Sequence, residues 1–166
     1  MNPTTIPLLE DFYQIPDRPT TQLFASYGHW HPVYITRLTY SVLLCNKYRS
    51  RIFVFGDNLE RTGVGGQAII RNCENSFGLR TKKEPTKVPG AYFTDRDYTW
   101  FCRIVDYDLI NLKDLNKQYP IVLSANGYGT GLAKLPTQAP KCYTYLCKQL
   151  NEFCHSPIFN PYYGTN

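Results

Sequence analysis

The chain has 166 residues, 43% of them apolar, 15% aromatic and only 19% charged, a balance that suits one domain with a buried core and argues against intrinsic disorder. Eighteen basic against thirteen acidic residues leave a formal charge of +5, which favours an anionic ligand but lacks the concentrated charge of a dedicated nucleic-acid binder. No stretch approaches the roughly 18 apolar residues of a membrane span, and the start MNPTTIPLLEDFYQ has no basic leader, so the expectation is a cytoplasmic protein without a membrane partner.

Residues 1–32 carry Pro3, Pro7, Pro16, Pro19 and Pro32 among scattered aromatics, too many breaks for a long element. They read as an arm packed on the single domain that spans 1–166. The β-branched and aromatic run VYITRLTYSVLL over 33–44 predicts one strand or two short ones. Ile52-Phe53-Val54-Phe55 is a continuous apolar quartet, the signature of a strand buried on both faces in a parallel sheet. The glycine-rich stretch GDNLERTGVGG follows it directly.

From Gly66, the spacing of Ile69, Ile70, Cys73 and Phe77 predicts a helix that Gly78 would stop. The basic, proline-broken segment 80–89 predicts a surface loop. Thr94 or Asp95 is the expected cap of a second helix, with Phe101, Ile104, Val105, Leu109, Leu112 and Leu115 as its buried stripe. Tyr119-Pro120 ends it. Ile121-Val122-Leu123 is a second short buried strand, and it again runs into a small-residue loop, SANGYGTGLAKLP. A last helix carries Ala139, Cys142, Tyr143, Leu146, Cys147, Leu150 and Phe153 on one face, with Thr137 as its expected cap and Pro140 in its first turn.

Strand, glycine-rich loop and helix thus occur twice, which predicts an α/β fold with a mixed, mostly parallel sheet and both loops on one edge of it. Glycine permits close approach of backbone to ligand, and successive N–H groups at a helix start suit phosphate oxygens. Two such loops on one edge fit a diphosphate. Each loop alone can equally be a tight strand-to-helix connection. Neither ends in Gly-Lys-Ser/Thr, which excludes a Walker-type triphosphatase, and Gly63-x-Gly65-x-x-Ala68 starts too far from its strand for a dinucleotide fingerprint. The six cysteines form no Cys-x-x-Cys pair, and His29-x-His31 is an isolated pair, so no metal site and no cofactor are expected.

Beyond these local readings, IFVFGDNLERTGVGGQAII (52–70) and the stretch 121–150, with GYGTGLAKLPTQAPKCYTYLCKQL, resemble the two ligand loops of macro domains, and the pair GDNLERTG…GGQA and GYGTGLA…LPTQAP more closely resembles uncharacterised macro-like proteins of bacteriophages. The resemblance implies a three-layer α/β/α fold that binds ADP-ribose or a derivative. It implies that Asn58 contacts the distal ribose. Gly65 and Gly66 would bring amides to the diphosphate, and Gly127, Tyr128, Gly129, Thr130 and Gly131 would wrap its other side, with Leu132 against the sugar. The family's Asn-Ala-Ala-Asn run is reduced here to Gly56-Asp57-Asn58, and no Gly-Asp-Ile stands upstream to contact adenine. Aromatics, namely Tyr92, Phe93, Tyr27 or Trp30, are the alternative readers of the base.

Two functions follow from that resemblance. One is hydrolysis of an ADP-ribose derivative, as an ADP-ribosyl hydrolase or an ADP-ribose-1''-phosphate phosphatase. Here Asp57 would orient a hydroxyl or act as base, Asn58 would position water, and Arg61 or Lys82 would stabilise phosphate charge. The other is a non-catalytic binding module, a sensor or sponge for a nucleotide signal in phage counter-defence. The expected ligand-binding set is completed by Gly63, Gln67 and Asn126. Asp57 can equally form a turn with its own backbone, Arg61 can be a solvated loop residue, and Lys82, Lys83 and Lys87 can form a basic rim. Nucleic acid enters only as an ADP-ribosylated substrate, since no recognition motif accompanies the charge.

Overall fold

The computed structural model describes residues 11–16 and 30–161. Five strands form one mixed sheet: β1 (Phe12–Gln14), β2 (Val33–Thr36), β3 (Ile52–Asn58), β4 (Ser76–Lys82) and β5 (Ile121–Ser124), in the order β1-β2-β5-β3-β4. Only β1 runs antiparallel, against β2. The other neighbours are parallel, with Val33 opposite Ile121, Ile52 opposite Ile121, and Phe53 opposite both Val122 and Ser76. Four helices accompany the described strands: α1 (Val42–Lys47), α2 (Tyr98–Asn116), α3 (Leu135–Gln138) and α4 (Pro140–Cys154).

Both faces of the central strands are buried, as their unbroken apolar runs require. Ile35, Ile52, Val54, Ile121 and Leu123 pack in one cluster with Phe101, Val105 and Leu112 of α2 and Leu146, Leu150 and Phe153 of α4. The alternate residues Phe53, Phe55 and Val122 pack in a second cluster with Tyr40, Cys45, Ala68 and Ile70. The period of two along each strand sends its side chains to opposite faces. Burying each such side chain is worth about 1.5–3 kcal/mol. Among the described residues no helix is long and apolar enough to cross a membrane.

The α2 stripe is as expected from Phe101 to Leu112, with Leu115 partly buried. Thr94 precedes a 3₁₀ turn (Asp95–Asp97) that leads into α2, and its N–H donates to Asp97 Oδ2 at 3.0 Å. The expected apolar face of α4, including Cys142 and Cys147, is buried throughout.

Four local expectations are corrected. The run 33–44 is a strand only to Thr36. Ser41 then caps α1, its Oγ accepting the Leu44 N–H at 3.0 Å, so an N-cap overrides the β propensity of the residues after it. The expected helix 66–77 is a five-residue 3₁₀ turn, Gly66–Ile70. Asn75 Nδ2 reaches the carbonyls of Cys45, Tyr48 and Arg51 at 3.0–3.2 Å, which turns the chain into β4. Gly78 therefore lies within β4 and stops no helix, and residues 80–82 are strand, the surface loop beginning only afterwards. Thr137 does not cap the last helix. It sits inside α3, Ala139 interrupts, and Pro140 opens α4, whose first amides at Lys141 and Cys142 are accepted by Asp95 Oδ1 at 3.0 and 3.4 Å.

Candidate functional site

Because β3 and β5 are parallel neighbours, the chain leaves both at the same edge, and the two glycine-rich loops meet there. Leu132 of the second loop lies on the first: its Cδ1 would stand 3.3 Å from a Cβ at Gly65 and 3.6 Å from one at Gly66. Gln67 ties the loops together. Its Oε1 accepts the Gly56 N–H at 2.8 Å while its Nε2 donates to the Gly127 carbonyl at 3.2 Å.

Positive φ angles at Gly63 (+90°), Gly66 (+58°), Gly127 (+81°) and Gly129 (+77°) give both loops tight turns that side chains rarely permit. At Gly129 a Cβ would also meet Leu135 Cδ1 at 2.4 Å. Among the described residues, the amides of Gly65, Gly66, Gly129, Thr130 and Gly131 have no protein acceptor. Backbone N–H groups are otherwise nearly always paired in folded chains, so a run of free ones on two facing loops suits an anionic ligand. Thr130 Oγ1 donates to the Asn126 carbonyl at 2.9 Å and closes the crest of the second loop, leaving both residues exposed.

Tyr128 anchors that loop from below. It is 2% exposed, and its hydroxyl donates to the Val54 carbonyl at 2.8 Å and accepts the Ser124 N–H at 2.9 Å. Burial holds the phenol far above its ordinary range. Its side chain is a core pillar rather than a wall of the ligand edge.

Asp57 holds the first loop in place. Its side chain is 1% exposed. Oδ2 accepts from Arg61 Nη1 at 2.9 Å and Arg71 Nη1 at 3.1 Å, and Oδ1 from Arg71 Nη2 at 2.5 Å and from the Asn58 N–H at 2.8 Å. Arg71 also donates to the carbonyls of Gly63 and Thr62, and Arg61 to that of Gly78 at 2.7 Å. Asp108 of α2 extends the array through Arg80 at 2.8 Å and, more distantly, Arg61 at 3.6 Å. Both Asp57 oxygens are thus committed to guanidinium donors, and neither faces open space where a water to be activated would stand.

Arg71, Arg80 and Asp108 were not among the residues singled out by motif. Arg71 reaches Asp57 directly from the end of the 3₁₀ turn that follows the first loop, whereas Arg80, opposite Asp57 in register on β4, and Asp108 of α2 join the array through Arg61. Arg61 is an exposed loop residue, its side chain 44% exposed, but it is not free: from a left-handed backbone (φ +56°) its guanidinium reaches back to Asp57.

Asn58 ends β3 opposite Lys82 of β4. Its Nδ2 donates to the Thr62 carbonyl at 2.8 Å, while Oδ1 is buried with no hydrogen-bond partner. A buried acceptor left unpaired costs about 1–3 kcal/mol, which a donating hydroxyl would recover. Lys82 is 9% exposed; its ammonium donates to the Thr86 carbonyl and lies 4.7 Å from the centre of the Tyr92 ring.

Of the aromatics expected to read a base, Tyr92 and Phe93 are buried, Phe93 completely, between Trp100 and Phe101 in edge contacts. Trp30 is partly exposed, and Tyr27 lies outside the described residues. Among the described residues no three His, Cys, Asp or Glu side chains gather as a metal site; His29 falls outside them. A cavity of about 440 Å³ near Lys148, Glu152 and His155 shares no lining residue with either glycine loop.

The fold and this edge define an α/β domain whose parallel strands deliver two glycine-rich loops, braced by an arginine–carboxylate array, to one place. The chain belongs to a family of unknown function, DUF7831, whose model matches residues 35–149 and so takes in both loops. Comparison with curated proteins and with solved structures finds no match.

Proposed function

We propose that this chain is a macro-like domain that binds an ADP-ribose-type ligand across the two glycine-rich loops. The observation that carries the reading is the set of unaccepted amides at Gly65, Gly66, Gly129, Thr130 and Gly131, contributed by two loops that Gln67 and Leu132 hold together. In this reading those amides take the diphosphate, and Asn58 Oδ1 accepts a ribose hydroxyl. Asp57 acts by orienting Arg61, Arg71 and the first loop. Calorimetric titration with ADP-ribose tests it. Saturable heat is expected, and none at about 1 mM ligand, a very weak limit, would remove the reading.

Hydrolysis at the distal ribose is the second reading, favoured by the unpartnered Oδ1 of Asn58, which can also accept from a water. Asp57 is not its base, because both its oxygens are engaged. Incubation with ADP-ribose-1''-phosphate and with ADP-ribosylated protein separates the two. Released product that Asn58→Ala abolishes supports turnover, whereas tight binding without product leaves a sensor or sponge.

A further inference from the structure

On the face of α2 opposite its buried stripe, Trp100, Arg103, Tyr107, Ile110 and Asp114, with Lys117 at the C-cap, follow one another at alternating steps of three and four residues. At about 100° per residue this spacing keeps all six on one side of the helix, over about 26 Å of its length. Three of them are large and apolar yet open to solvent: Trp100 is 45% exposed, Tyr107 61% and Ile110 59%. A solvated helix face is ordinarily polar, and this spacing is the one by which helices pair.

Both aromatic rings of this face are held in place within the chain. The centre of the Tyr107 ring lies 5.7 Å from the guanidinium carbon of Arg80, itself fixed on Asp108, and Trp100 stands edge-on to the buried Phe93 at 5.4 Å. Rigid aromatic side chains are the usual anchors of protein interfaces. The order of residues along the stripe is also self-complementary. Laid antiparallel against itself so that Tyr107 meets Ile110, it brings Arg103 to Asp114 and Trp100 to Lys117 at each end. A parallel pairing would instead set each charge against itself. Asp114 carries Lys117 at 3.3 Å on its own chain, while Arg103 has no carboxylate within 4.0 Å among the described residues.

We propose that α2 pairs with α2 of a second copy of this chain, antiparallel across a twofold axis at the level of Asp108 and Leu109, with Tyr107 on the partner's Ile110 and Arg103 on the partner's Asp114. Twofold symmetry uses every contact twice, so one stripe supplies both halves of the interface. Six side chains from each copy fall well short of the roughly 20–30 residues a side of a standard interface, so the dimer is a weak one, with Kd on the order of 100 μM. The paired face shares no residue with the glycine loops, so the dimer stands whatever those loops bind.

Sedimentation equilibrium of the full chain up to about 1 mM, around and above the expected Kd, tests the pairing in wild type, Arg103→Asp, Asp114→Arg, a chain carrying both reversals, and Ile110→Asp. All four positions are exposed on the helix surface, and far-UV circular dichroism with thermal melts checks that each variant folds. Wild type should dimerise. Each single reversal sets like charges together at both ends of the stripe and should weaken association about tenfold, as should Ile110→Asp. Association should return when both reversals share one chain, which restores opposite charges only if the two positions face each other across the axis. A wild type that stays monomeric at about 1 mM overturns the pairing and leaves the stripe to another protein or to solvent. A dimer that neither the reversals nor Ile110→Asp weaken uses a different surface and equally overturns it. Weakening by the single reversals without rescue in the doubly reversed chain overturns the antiparallel register.

Discussion

Gly78 lies directly beneath Asp57: a Cβ there would stand 2.2 Å from Asp57 Oδ2 and 2.7 Å from Arg61 Nη1. The carboxylate and its arginine occupy the volume that any other residue of β4 would fill. Gly78→Ala must therefore displace the buried Asp57 carboxylate together with the arginine that pairs with it. The expected loss is about 1–3 kcal/mol, the usual range for overpacking, measured by urea unfolding, with loosening of residues 59–65 visible in hydrogen exchange. A Gly78→Ala protein as stable as wild type would contradict this packing.

Arg71 is the residue that joins Asp57 to the backbone of the first loop. Arg71→Met leaves Asp57 with Arg61 as its remaining ionic partner and removes the donors to Thr62 and Gly63. Breaking one side of a buried pair costs about 3–5 kcal/mol when the charge is left alone; the retained Arg61 contact should hold the loss near the lower figure. Denaturant midpoints check it, and ADP-ribose affinity should fall in the same variant.

The fold was largely legible where one physical signal dominated. The apolar quartet 52–55, the run 121–123 and the stripes of α2 and α4 are fixed by burial, and the structure places them as their periodicity predicts. In the segment 66–77, Ile69, Ile70, Cys73 and Phe77 have helical spacing, yet the chain forms only a 3₁₀ turn before β4. Asn75, whose amide collects three carbonyls from distant residues, supplies no local signal of a turn. For the candidate site, the glycines and their shared edge were readable from the strand–loop pattern. The commitment of Asp57 is not, since Arg71 turns back to it from beyond the 3₁₀ turn, and Gly78 meets it only through the pairing of β3 with β4.

Tyr128→Phe separates anchoring from ligand contact. Loss of the hydroxyl leaves the buried Ser124 N–H and Val54 carbonyl without their partner, at a cost of about 1–3 kcal/mol. ADP-ribose affinity at a temperature where the variant stays folded should change less than twofold. A large affinity loss in a fully folded protein would instead place the phenol at the ligand.

Burial pushes the thiols of Cys45 and Cys142 up to about 12 and that of Cys147 to about 11, from an ordinary value of 9.0. Neutral thiols are thus favoured by folding. Their contribution is complete below pH 9 and is lost as pH rises through the folded values, so stability should decline across that alkaline window. In native protein at about pH 8, alkylation of these three should be far slower than in the unfolded chain, because the thiolate is the reactive form. Peptide mass spectrometry after timed iodoacetamide treatment reads this directly, and labelling at the unfolded rate would refute it.

The position of β5 has a consequence for how the ligand edge comes into being. β2 and β3 do not pair with each other; β5 pairs with both. The strand that completes the middle of the sheet is the last of the described strands to be synthesised, well after the first glycine loop has left the ribosome. Until residues 121–124 insert, the apolar residues of β2 and β3 have an open seam between them and the first loop has no facing partner. Such late, sequence-distant closure is slow and leaves an aggregation-prone gap in the meantime. Assembly of the edge is therefore an all-or-none event set by arrival of the C-terminal third, and truncations before Ser124 should yield no partial binding function.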